Sequence, residues 1–90
     1  MQSEYGVVIK GVDMNEDMIA DAVKTAKEAF AQYTVERDRA RHIKQAFDRK
    51  YQGCWHCIVG KDYGSYVSHE SKHFINFYID NYSILLFKAG

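Results

Sequence analysis

The 90-residue sequence has no proline, only two cysteines and no net charge, with twelve basic side chains offsetting twelve acidic ones. Without proline, the breaks between elements fall to glycine and to polar turn residues. The charge balance argues against bulk attraction to nucleic acid or to an anionic membrane, because affinity for phosphates needs clustered positive charge. The nearest approach to such a cluster is Arg37, Arg39, Arg41, Lys44, Arg49 and Lys50, interrupted by Glu36, Asp38 and Asp48, which reads as a solvated helix face. The longest aliphatic run, "ILLF" at 84–87, is far short of the roughly 20 apolar residues of a membrane-spanning helix. The start "MQSEYG" shows no basic segment leading into an apolar one, so no secretory signal is expected. Two cysteines in such a chain suit the reducing cytosol. No internal repeat or low-complexity stretch divides it, and residues 1–90 are expected to form a single domain. A domain this short buries only about two thirds of its surface, so it gains from a staple or a partner.

What the sequence does have is aromatic residues, thirteen of them (one Trp, seven Tyr, five Phe), enough for a core and an interface. "YGVVIKGV" (5–12) is a β-branched run closed by Gly11 and reads as a strand. Asn15 is a good N-cap for a helix through "MNEDMIADAVKTAKEAFAQY", whose apolar residues at 18, 19, 22, 23, 26, 30 and 33 make a helical stripe. Thr34 is expected to cap a second helix, "VERDRARHIKQAFDRKY", with Ala40, Ile43, Phe47 and Tyr51 on its buried face and Gln52-Gly53 at its end. After Gly53 the period changes. "CWHCIVG", "YGSYVSH", "KHFINFYID" and "YSILLFKA" read as a four-strand meander joined by "GKD", "ESK" and "DN" turns. The order β-α-α-β-β-β-β predicts an α+β domain, two helices packed on a mainly antiparallel sheet.

"CWHC" (54–57) invites a redox or metal reading. Redox Cys-x-x-Cys pairs sit where a loop enters a helix, whose N-terminus stabilises a thiolate. Here Ile58, Val59 and Gly60 follow Cys57, and no helix starts. On a strand, positions i and i+3 lie about 10 Å apart and face opposite sides, whereas a disulfide needs Cα atoms within about 7 Å. The spacing Cys54-x2-Cys57-x11-His69-x3-His73 is one residue short of a zinc finger, and a helix to carry both histidines is missing. A half-buried Cys57 and two rim histidines are the simpler reading, with no metal or cofactor. Cys, His and Asp occur, but no spacing sets a nucleophile beside a base, so no enzyme is expected.

"ARHIKQAFDRKY", "WHCIVGKDYGSYVSHESKHFINFY" and "ILLFKAG" together resemble the cytoplasmic dynein light chain family of small dimeric hubs. The resemblance runs from "VVIKGVDMNEDM" to the C-terminal glycine. It implies a symmetric, strand-exchanged homodimer in which the strand around "YGSYVSH" leaves its own sheet for the partner's. It also implies a non-catalytic light chain of the dynein motor, cytoplasmic and cytoskeleton-associated. Such a chain binds the dynein intermediate chain and short linear motifs of disordered proteins, commonly centred on Thr-Gln-Thr, in two grooves at the dimer interface.

Carried over by resemblance, Tyr63, Gly64, Ser65, Tyr66, Val67, Ser68, His69, Phe74, Asn76 and Tyr78 line the groove, with Lys10 at its edge. Glu36 and Arg37, at the start of the second helix, meet the peptide's glutamine. His56, Tyr66, Val67 and Ser68 form the dimer contact, with His56 against its symmetry mate, so protonation is expected to weaken the dimer. The sequence also departs from the family. Asn76 stands where a tyrosine is usual, Ala89 where many relatives carry a phosphorylatable serine, and Gln52-Gly53-Cys54 replaces a proline-containing turn. Asn76 is therefore expected to alter peptide preference.

Overall fold

In a computed structural model of the protein, residues 6–90 are described. The Tyr5 start expected for the first strand lies outside the described residues, as do the first five residues of "MQSEYG". Six elements follow in order: β1 (Val7–Met14), α1 (Glu16–Gln32), α2 (Glu36–Tyr51), β2 (Trp55–Gly60), β3 (His73–Ile79) and β4 (Tyr82–Lys88). The expected α+β architecture is found, with two helices on one antiparallel sheet of order β1-β3-β4-β2.

α1 begins where the sequence places it. Asn15 is extended, and its Oδ1 accepts the Met18 N–H at 2.8 Å, with Glu16 and Asp17 in the first turn. Its buried stripe is mostly small (Ala22, Ala26 and Ala29 beside Met18, Thr25 and Phe30). α2 differs at its start. The cap position belongs to Val35, not Thr34, and carries no side-chain cap bond. A tertiary tie sets this link instead. Arg39 Nε donates to the Tyr33 carbonyl at 2.7 Å, and its guanidinium lies 3.9 Å over the Phe30 ring. The expected Gln52-Gly53 stop is present, both residues having positive φ (59° and 89°).

The core sits between the helices and one face of the sheet. Ile43 and Phe47 of α2 meet Trp55, Ile75, Phe77, Ile79, Ile84 and Leu86, with the Phe47 and Trp55 rings edge to face at 5.0 Å. Polar ties surround it. Asp48 Oδ1 accepts the Trp55 N–H at 2.9 Å, and Lys44 donates to both Asp48 and the Trp55 carbonyl. Tyr51 and Lys50 each bind Asp21 of α1 at 2.7 Å.

The sheet connects differently from a meander. Only β3 and β4 are joined as a hairpin, through the expected "DN" turn, where Asp80 takes φ 53°. β4 separates β2 from β3 and is antiparallel to both, so β2 and β3 run parallel. Residues 61–72 carry the chain from the end of one to the start of the other. Within a single chain, the strand expected over "YGSYVSH" lies outside the sheet. Tyr66 is 100% exposed, and Gly64, Ser65 and Ser68 are exposed too, so the segment has little core to bury against. Strand propensity alone does not form a strand without a packed face.

Candidate functional site

The "CWHC" residues have ordinary structural places. Cys54 is exposed just ahead of β2, Cys57 packs toward the core from within β2, and both are free. Burial pushes the Cys57 thiol well above its usual range, so it stays protonated at neutral pH rather than forming a reactive thiolate. His69 stacks on Phe74 with ring centroids 4.6 Å apart, and its Nδ1–H donates to the Glu70 carbonyl at 2.9 Å. His73 lies beside Trp55, and its Nδ1–H donates to the Ser71 carbonyl at 2.7 Å. Among the described residues, no three His, Cys, Asp or Glu side chains gather to hold a metal.

The sheet face away from the helices collects Lys10, Tyr63, Phe74, Asn76 and Tyr78 of the predicted groove residues. Strand alternation turns Ile75, Phe77 and Ile79 to the core, so Phe74, Asn76 and Tyr78 project from the other side. Leu85, paired with Asn76 and only 1% exposed, is buried there outside the helix-side cluster. Tyr63 comes down on this face from the 61–72 segment. Its hydroxyl donates to the Ser83 carbonyl at 3.3 Å and accepts from Ser83 Oγ at 3.1 Å. Asn76 Nδ2 donates to Ser83 Oγ at 3.3 Å and to the Ile84 carbonyl at 2.9 Å. Lys10, at the irregularity in the β1–β3 register, holds its ammonium 5.5 Å over the Tyr78 ring.

At the other end of the segment, Glu70 N–H donates to the Lys88 carbonyl at 2.8 Å, and Lys72 N–H donates to Asp13 Oδ2 at 2.9 Å. Between these anchors, Gly64, Ser65, Tyr66 and Ser68 stand in solvent and Val67 is half-buried. Glu36 and Arg37 sit in the helix layer, across the sheet from Asn76, so one chain does not bring the two halves of the predicted site together.

β2 offers a second surface. Among the described residues it pairs with β4 alone, which leaves its outer edge unpaired there. That edge borders a shallow depression of about 610 Å³ lined by Lys44, Trp55, His56, Cys57, Ile58 and Phe87. His56 stacks on Phe87 at 5.3 Å, and its Nε2 lies 3.3 Å from the Ala89 carbonyl. Ile58 beside it is 43% exposed. Sequence reasoning missed Ser83, Ile58 and Phe87. The alternation Ser83–Leu85–Phe87 was available, but it is masked within "YSILLFK", where Ile84 and Leu86 are equally apolar and face the core.

A family model described as dynein light chain type 1 matches residues 6–89. Among solved structures, the dynein light chain-like domain of the Fasciola hepatica calcium binding protein FhCaBP2 is 21% identical, with a TM-score of 0.80 over 97% of this chain and 94% of that one. A mercury derivative of the same domain superposes at a TM-score of 0.79, covering 93% and 92% of the two chains at 21% identity. The DLC-like domain of CsTAL3 is also 21% identical, with a TM-score of 0.70 and 92% of each chain covered. At that identity the structural likeness speaks for the fold, while the family match spans nearly the whole sequence. The chain belongs to the dynein light chain type 1 family.

Proposed function

We propose that this protein is a non-catalytic homodimeric hub that holds short linear segments of disordered proteins by β-strand addition. One observation carries the reading. The segment 61–72 lies outside its own sheet, and among the described residues the outer edge of β2 is unpaired. In a symmetric pair, the segment of each chain pairs with the other's β2 edge, which removes an aggregation-prone edge and covers His56, Ile58 and Phe87. Tyr66, Val67 and Ser68 then pass to the partner's side with His56. The free side of the transferred strand, Gly64 to Ser68, takes the bound peptide as a further strand.

The exchange also explains why half of the predicted site is missing from one chain. It brings the strand of one protomer toward the α2 start of the other, where Val35 leaves the first N–H groups without a side-chain acceptor. Glu36 and Arg37 are there for the peptide's glutamine. Lys10, Tyr63, His69, Phe74, Asn76 and Tyr78 supply the remaining walls. Two equivalent grooves let one dimer align two partner chains, turning their later contacts into intramolecular events. Membership of a dynein light chain family supports the dynein intermediate chain as one partner and a cytoplasmic, cytoskeleton-associated setting.

Calorimetric titration with a Thr-Gln-Thr peptide, in chelator and reductant and alongside the mass in solution, tests this directly. One peptide per protomer on a dimer is the expected result. A dimer that takes up no peptide would reduce the protein to a structural dimer, and a monomer would remove the groove altogether.

A further inference from the structure

Resting on the hub reading, we propose that Asn76, Ser83 and Tyr63 form a subsite that offers only hydrogen-bond acceptors, and so selects a ligand side chain bearing a neutral donor. The proton count carries this. Asn76 has two N–H donors, one on Ser83 Oγ and one on the Ile84 carbonyl. The Ser83 hydroxyl donates to Tyr63, and the Tyr63 hydroxyl donates to the Ser83 carbonyl. Every donor in the cluster is spent inside the chain.

Lone pairs are what remain: both on Asn76 Oδ1, one on the Tyr63 oxygen and one on Ser83 Oγ. Asn76 Oδ1 has no partner among the described residues and is not enclosed. The amide cannot be turned to offer its N–H groups instead. A flip would set Oδ1 against the Ile84 carbonyl, 2.9 Å from the present Nδ2, acceptor against acceptor. Burial raises the Tyr63 hydroxyl's pKa despite its bond with Ser83, so the proton that fixes the chain's direction stays in place at neutral pH.

The charge nearby chooses among donors. Lys10, over the ring of Tyr78 two residues along the same face, makes no ion pair among the described residues. Its ammonium repels a lysine or arginine of the ligand, which leaves a primary amide or a hydroxyl. Lys10 also attracts a carboxylate, but within the cluster that group meets only lone pairs, and an acceptor buried against acceptors loses its water for nothing, so the neutral donor is preferred.

The experiment is a position scan of the Thr-Gln-Thr peptide, comparing Gln with Glu, Asn with Asp and Thr with Val at each place. One position is expected to favour the donor about tenfold over its isostere. Tyr63→Phe frees the Ser83 O–H to donate outward, so the Gln-to-Glu preference should shrink several-fold at that position alone. Asn76→Leu should abolish it. An unchanged preference in both variants, or no donor preference anywhere, overturns the assignment.

Should no peptide bind at all, the hub reading fails, and the subsite is read separately through the Asn76 side-chain amide signals in ¹H–¹⁵N spectra. Those signals should respond to acetamide and not to N,N-dimethylacetamide, which keeps the carbonyl but lacks N–H. An equal response, or none, removes the subsite as well.

Discussion

Asp21 and Asp48 show how single side chains fasten this small domain. Burial alone would raise both carboxyl pKa values. Lys44 and the Trp55 N–H outweigh it at Asp48, and Lys50 and Tyr51 outweigh it at Asp21, so both are held below the ordinary carboxylate value. The folded state therefore binds fewer protons than the unfolded chain as acid is added. Stability from these two groups is complete above the unfolded carboxylate pKa of about 4 and disappears as pH falls through the lower folded values. Urea unfolding between pH 6 and 2 should show this fall, and the pair Asp21→Asn with Asp48→Asn should flatten it. Each substitution should cost about 1–2 kcal/mol at neutral pH. An undiminished acid slope in the double variant would place the effect elsewhere. Individual roles were legible in the sequence where they depend on near neighbours, as with Asn15 capping α1 three residues away. The Asp21–Tyr51 bond joins residues thirty apart and left no local mark.

Among the elements, both helices could be read from their apolar period and their ends from polar and glycine signals. The exception is the start of α2, where Arg39 fixes the incoming chain from four residues inside the helix and moves the cap to Val35. That uncapped start separates stability from function. Val35→Asp should raise the unfolding free energy by about 0.5–1 kcal/mol, because Val35 already has the extended geometry that a capping side chain needs. The same carboxylate would occupy the N–H groups proposed to receive the peptide, so peptide affinity should fall. Chemical denaturation and calorimetry on one variant read both effects, and a gain in both would remove the helix start from the groove. The "YGSYVSH" strand shows the opposite limit of sequence reading. Its composition gives a strand, but the segment joins no sheet within the single chain, and the pairing proposed for it lies with a second copy. Asn76 was identified as a groove residue, whereas its orientation depends on Ser83 and Ile84 of the neighbouring strand.

At the scale of the whole molecule, the proposed dimer rests on the β2 edge, where His56 stands exposed beside Phe87. His56→Lys puts a permanent charge beside Phe87 in a surface proposed to meet its own copy, and should yield a monomer at neutral pH. Sedimentation equilibrium at neutral pH checks this. A dimer retained with lysine at position 56 would move the interface off β2.

The strand order β1-β3-β4-β2 has a consequence for how the protein is made. The first two strands to leave the ribosome are the outer pair, and neither has a neighbour until the last two arrive between them. β1 waits some sixty residues for β3, and β2 waits for β4, the last of the four strands in order. The two helices can wind early, but the sheet that they cover closes only once the β3–β4 hairpin has been made. A ribosome stalled before the final hairpin would therefore carry helices without a core.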